Sequence, residues 1–130
     1  IPLCKKIRAI AARSSDITLY NLDACDFIDT VLAGNDNVFA NFDPPYVDKG
    51  PGLYENSYTE DDHRGVAEKI GSCEFPWMVT YDNSPLIIEL YKDFDMYLMD
   101  VGYSAASVKV GSELLIAGPG IAVPDYLDKI

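Results

Sequence analysis

An α/β fold built on a mostly parallel sheet is the class predicted by this sequence of 130 residues, and two observations predict it. Helical and strand patterns alternate from the N-terminus onward, in the order α-β-α-β-loop-α-β-α-β-β, which argues for parallel strands with helices on both faces. The last two strand patterns break the alternation. The small, polar stretch between them, 102–111, is too short for a helical crossover, so they pair as antiparallel neighbours and add one reversed strand. The length fits one domain, and 48% hydrophobic residues suffice for a real core.

Each element carries its own signal. Across residues 2–13, Leu3, Ile7 and Ile10 share a helical face and the basic residues lie mostly off it. Residues 17–22 alternate and are rich in β-formers, so a strand is expected there. Asp23 reads as an N-cap, with Asp26 three positions on as an acidic variant of the capping box. The helix it opens continues through Phe27, Ile28, Val31 and Leu32 to Gly34. Residues 38–42 form an apolar strand. Gly50-Pro51-Gly52 marks 47–56 as a loop. Thr59 with Asp62 starts a helix that runs to about Gly71. Residues 77–81 are the next strand. Ser84 as cap and Pro85 at the first helical position then start a helix to about Lys92. Strands follow at 96–101 and 113–117, and the tail from Gly118 ends in a short turn at 125–129. No G-x-G-x-x-G or P-loop turn follows any strand.

Composition narrows the class further. No apolar run approaches the roughly 20 residues that span a bilayer, and Ile1-Pro2-Leu3-Cys4-Lys5-Lys6 is not a signal peptide, since no long apolar stretch follows it. The chain begins without Met and reads as an excised piece of a larger protein. Cys4, Cys25 and Cys73 are odd in number and lack CxxC spacing, so they read as reduced thiols of a cytosolic protein, with no metal site. The net charge of −11 is unusual for a nucleic-acid binder. Lys5, Lys6, Arg8 and Arg13 cluster at the N-terminus, and the acidic remainder repels phosphate at long range.

Asp43-Pro44-Pro45-Tyr46 is the most informative motif, because it sits where an apolar strand ends. The two prolines have a fixed φ and no N–H, and an ionised Asp43 only accepts. The corner is therefore stiff and rich in acceptors, suited to hold an amine between the Asp43 carboxylate and the Pro44 carbonyl. Tyr46 offers a ring on which an extruded base can stack, at about 1–3 kcal/mol per base. Two acceptors gripping an aryl amine pull its nitrogen toward tetrahedral geometry and free its lone pair, so catalysis rests on positioning and electrostatics. The plain alternative is a Pro-Pro turn with Asp43 as turn former. The position favours function, since ligands of open α/β sheets bind outside the carboxyl ends of strands.

From Phe42 onward the chain resembles the Dam-like (D12 class) adenine-N6-specific DNA methyltransferases. Phe42-Asp43-Pro44-Pro45-Tyr46 is similar to the family's catalytic motif. Residues 56–63 resemble the loop-to-helix segment after it, 77–83 the next strand and its exit, and 112–116 a last strand with a Glu before its apolar run. Residues 17–27 resemble the strand-turn that contacts the adenine end of S-adenosylmethionine. The likeness covers most of residues 5–117, and only the tetrapeptide is highly specific.

The resemblance implies a Rossmann-like methyltransferase sheet and methyl transfer from S-adenosylmethionine to the N6 amine of a flipped adenine in DNA. By carry-over, Asp43 and Pro44 hold the amine within the catalytic motif that Pro45 completes, Tyr46 stacks on the adenine, and Asp43 also lies near the cofactor's methionine end. Asp26 and Phe27, with Asp23, face the cofactor's adenine, although a cap is the stronger reading of Asp23 and a core role the commoner one for Phe27. The family's glycine-rich cofactor turn and DNA-recognition insert would precede the helix at 2–13. Residues 1–130 thus resemble the C-terminal, partial catalytic domain, with the first strands missing, most DNA contacts elsewhere, and an exposed sheet edge through which copies could pair.

Other residues carry less. Lys49 and Tyr54 are candidates for contact with the DNA strand, against an ordinary solvated loop, and Lys109 is a weaker one. His63 reads as a surface helix residue. Asp82 and Asn83 end a strand at the active-site edge, where helix capping explains them equally well. Two other functions stay open: methylation of RNA adenine or a protein amide, whose enzymes more often carry Asn in place of Asp43, and a non-catalytic remnant or interaction module that keeps the fold.

Overall fold

The computed structural model describes residues 2–35, 37–48, 57–103 and 109–130. The apolar spacing at the N-terminus does form a helix, α1 (Pro2–Ala11), followed by a 3-10 turn, Ser14–Asp16. No residue of α1 is buried, and its stripe of Leu3, Ile7 and Ile10 is exposed. The strand expected over 17–22 does not form. Ile17, Leu19, Tyr20 and Leu22 are exposed there, Leu19 to 93%. β-branched and aromatic residues favour a pleat only where neighbours complete the ladder, and no described strand lies beside this segment.

Asp23 caps the next helix as expected, accepting from the N–H groups of Cys25 (2.8 Å) and Asp26 (3.4 Å). That helix, α2 (Ala24–Phe27), widens into a π-helical turn, Ile28–Leu32, and ends at Gly34, whose φ of 76° only glycine adopts freely. Strand β1 (Ala40–Phe42) is shorter than the apolar run that announced it. Helix α3 (Glu60–Gly71) opens with a full capping box between Thr59 and Asp62. Strand β2 (Trp77–Asp82) and helix α4 (Pro85–Leu90) follow. Ser84 holds the cap position of α4 in an extended conformation but makes no capping side-chain bond, and it is buried.

Strands β3 (Asp95–Tyr103) and β4 (Lys109–Ala117) reach further into the polar stretch than their apolar cores indicate, pairing out to Tyr103 and Lys109. A two-residue strand, β5 (Asp128–Lys129), stands where the sequence suggested only a turn, and it pairs with Tyr97 and Leu98. Among the described residues no helix is long and apolar enough to cross a membrane.

The fold is α/β with a five-stranded mixed sheet of order β1-β2-β4-β3-β5. Among the described residues only β1 and β2 pair in parallel; every other neighbouring pair is antiparallel. This corrects the expectation of a mostly parallel sheet. β2 and β3 do run the same way, since each is antiparallel to β4, but β4 returns between them and keeps them apart. The signal was in β4 itself. Leu114, Leu115, Ile116 and Ala117 are consecutive and all buried, which is the pattern of a strand covered on both faces rather than of an edge.

The core lies where α3 and α4 cover β2 and β4. Trp77, Val79 and Tyr81 alternate along β2 and meet Leu114 and Ile116 of β4, with Val66 and Ile70 of α3 and Ile87 and Tyr91 beside them. The Trp77 ring packs edge-on against Phe94, centroids 5.0 Å apart. Helix α3 joins β1 to β2, so the parallel pair and its crossover helix form one unit, and the tetrapeptide leaves that unit at the carboxyl end of β1.

Candidate functional site

Asp43, Pro44 and Pro45 form part of the wall of a hollow of about 540 Å³. Its other walls come from Ala24, Phe27 and Leu32 of the α2 segment, Phe39 to Phe42 of β1 and its approach, Tyr58, and Val66 of α3. The lining is mostly apolar and aromatic, and Asp43 contributes a solvent-accessible carboxylate. The volume falls within the range usual for small-molecule sites, about 300–1,000 Å³.

The corner is held from β2 by two side chains. The Thr80 hydroxyl donates to Asp43 Oδ1 at 3.0 Å. The Asp82 carboxylate accepts the N–H of Val47 at Oδ1 (3.0 Å) and the N–H of Asp48 at Oδ2 (2.8 Å). Asp82 is 6% exposed and Glu113 is 8% exposed. The two are partners in the β2–β4 ladder, so a pair of carboxylates lies at this end of the sheet. Asp82 thus fastens the loop after the tetrapeptide, where the sequence left helix capping open. Asn83 Nδ2 donates to Ser112 Oγ at 3.3 Å.

Tyr46 is half-buried and packs against the core cluster, and it is not among the residues that line the hollow. The aromatic wall comes instead from Phe27, Phe39, Phe42 and Tyr58. Of the residues matched to the cofactor's adenine end, Phe27 lines the hollow and meets Tyr20 edge-on at 5.3 Å. Asp23 is occupied as a helix cap, Asp26 is exposed, and neither belongs to the wall. Lys49 and Tyr54 lie outside the described residues. Lys109 begins β4.

His63 is the clearest departure from the sequence reading. It is 2% exposed rather than on the surface, with Nδ1 2.9 Å from the Tyr81 hydroxyl and its ring edge-on to both Tyr58 and Tyr81. Burial lowers its pKa from the ordinary 6.5, against opposing pulls from Asp82 and Asp62. Burial also raises the pKa of Tyr81 strongly, so its phenol stays protonated. The sequence did hold the signal. With Thr59 as N-cap, Tyr58 precedes the cap and His63 is the fourth helical residue, the two positions that staple a helix start together. That staple sets the Tyr58 ring in the wall of the hollow.

The three thiols are free. Burial, with Asp23 nearby, raises the pKa of Cys25, and burial raises that of Cys73. Among the described residues no group of three or more His, Cys, Asp or Glu is placed to hold a metal ion.

The lining tests what this hollow fits. Apolar rings and one carboxylate suit a planar heterocycle with an exocyclic amine. Among the described residues no Lys or Arg belongs to the wall. Compared with known proteins, the chain matches no family model and no curated protein. The methyltransferase likeness therefore rests on the motif residues of the sequence.

Proposed function

We propose that this chain carries the catalytic corner of an adenine-N6 DNA methyltransferase, on a sheet that is part of a Rossmann-like methyltransferase fold. One observation carries the reading. The Asp-Pro-Pro-Tyr corner leaves the carboxyl end of a parallel strand and opens on a hollow with apolar and aromatic walls. The purine enters that hollow as a base extruded from duplex DNA, resting on the Phe and Tyr58 rings. Asp43 and the Pro44 carbonyl accept the two amine hydrogens and free the nitrogen lone pair for attack. S-adenosylmethionine would supply the methyl group, its sulfonium sulfur leaving with the electron pair of the broken C–S bond as a neutral thioether. The proton shed by the newly methylated nitrogen passes to the Asp43 carboxylate, which is exposed and returns it to water. Most phosphate contacts come from outside the acidic surface of this chain, whose net charge is −11.

The test is transfer of a labelled methyl group to adenine-containing duplex by the full-length protein, beside Asp43→Asn and Asp43→Ala. Loss of one preorganised contact to the reacting group lowers kcat by about 10²–10³-fold. Equal transfer by Asp43→Ala removes Asp43 from the chemistry. Transfer to RNA or to protein amides, and none to DNA, moves the substrate class.

A second reading has its own observation. The consecutive residues 39–45 line the hollow. Successive strand residues face opposite ways, so the edge of β1 that no described strand covers itself opens into it. An extended segment, from a second copy or another protein, could add to β1 there. That interaction module predicts concentration-dependent dimers, or capture of an extended peptide, that Phe39→Lys abolishes. Purine binding by a monomer argues against it.

A further inference from the structure

We infer that Thr80 and Asp82 are positioning residues that hold the amine-gripping corner from both ends, an inference that rests on the methyl-transfer reading above. Residues two apart on a strand face the same way, so both side chains leave β2 toward the tetrapeptide. Thr80 takes the front. Its hydroxyl occupies Asp43 Oδ1 at 3.0 Å, fixing the carboxylate's rotation and leaving Oδ2 to meet an amine hydrogen. Asp82 takes the back. Its two oxygens accept the N–H of Val47 and of Asp48, the first two residues beyond Tyr46.

Between these anchors lie Pro44 and Pro45, which have no N–H of their own with which to be tied down. The corner therefore gets its rigidity from β2. Parallel pairing with β1 sets the register, placing Val79 opposite Phe42 and so Thr80 opposite Asp43. Asp82 is 6% exposed, and these amides give its charge the partners that a buried carboxylate requires.

Three variants of the full-length protein test this, beside Asp43→Ala. Thr80→Val keeps the branched shape and loses the donor. Thr80→Ser keeps the donor. Asp82→Asn keeps the shape but turns an amide N–H₂ toward a backbone N–H. Thr80→Val should lower kcat about 10-fold with KM for DNA within about 2-fold, the loss expected for one hydrogen bond to a charged group. Thr80→Ser should recover the rate, which a merely space-filling Thr80 would not require. Asp82→Asn should lower kcat and speed amide hydrogen exchange at Val47 and Asp48 by about 10-fold, while amides of β4 keep their protection.

Wild-type rates in Thr80→Val and Asp82→Asn, with Asp43→Ala inactive, overturn the inference and leave the function standing. Unchanged exchange at Val47 and Asp48 in Asp82→Asn overturns the rear anchor. No transfer by the unmodified protein overturns the function, and this inference with it.

Discussion

Gly118→Ala is expected to be among the most damaging single-methyl additions to this protein, and the reason is local. A Cβ built on Gly118 collides with Cε2 and Cδ2 of the Trp77 ring and comes within 2.7 Å of its Nε1. The ring cannot swing clear. Trp77 is fully buried, edge-on to Phe94 at 5.0 Å and tilted against Tyr91 at 6.5 Å. The backbone cannot retreat either, since the Gly118 N–H donates to the Trp77 carbonyl at 2.9 Å. Overpacking of this kind costs about 3 kcal/mol, the upper end of its usual range. For a domain of this size that is a fall in Tm of roughly 10 °C. Two control glycines calibrate the loss. Gly120 has a φ of +73° and open space, its nearest contact being Pro76 Cγ at 3.8 Å, so alanine there costs only about 1 kcal/mol of left-handed strain. Gly65 lies inside α3 with nothing within 4 Å, and alanine should stabilise by about 0.5–1 kcal/mol. Calorimetry and urea unfolding with an unchanged m-value give the ranking. A Gly118→Ala protein as stable as Gly120→Ala refutes the packing of Trp77 on this backbone.

Two further outcomes follow from polar groups. His63 is neutral in the fold because burial lowers its pKa, whereas the unfolded chain takes up a proton near the ordinary 6.5. The unfolded state then binds more protons, so stability is complete above about pH 6.5 and declines as pH falls from there toward the lowered folded value. His63→Phe should flatten that decline in an unfolding series from pH 7.5 to 4.5. It should also cost about 1–3 kcal/mol at neutral pH by leaving the buried Tyr81 hydroxyl unpaired. The caps are the other case: Thr59→Ala and Asp23→Ala should each cost about 1 kcal/mol, and Asp23→Ser should recover most of its loss. A loss of purine binding by Asp23→Ser at unchanged stability would instead make Asp23 a ligand.

Much of the helical framework was legible because its signals are local. The Thr59–Asp62 capping box, Asp23 as cap, Pro85 at a first turn and Gly34 at a helix end all act within four residues of chain. Strands were harder. Residues 17–22 have strand chemistry and no described strand beside them, while the two-residue β5 has no strand chemistry and finds one. Pairing is a property of two segments, and neither sequence names its partner. The site divides the same way. The acceptor-rich corner could be read from its prolines and carboxylate, but the half-buried Tyr46 packs against the core cluster and the aromatic wall comes from Phe27, Phe39, Phe42 and Tyr58.

By itself, then, the sequence determined an α/β chain with capped helices and a stiff acceptor corner at the end of an apolar strand, because those features depend on neighbours along the backbone. Tertiary structure decided the rest. It inserted β4 between β2 and β3, buried His63 against Tyr81, and brought Thr80 and Asp82 to residues 34 to 37 positions away. Those arrangements follow from strand register and from the burial of apolar faces, which act between segments distant in the chain.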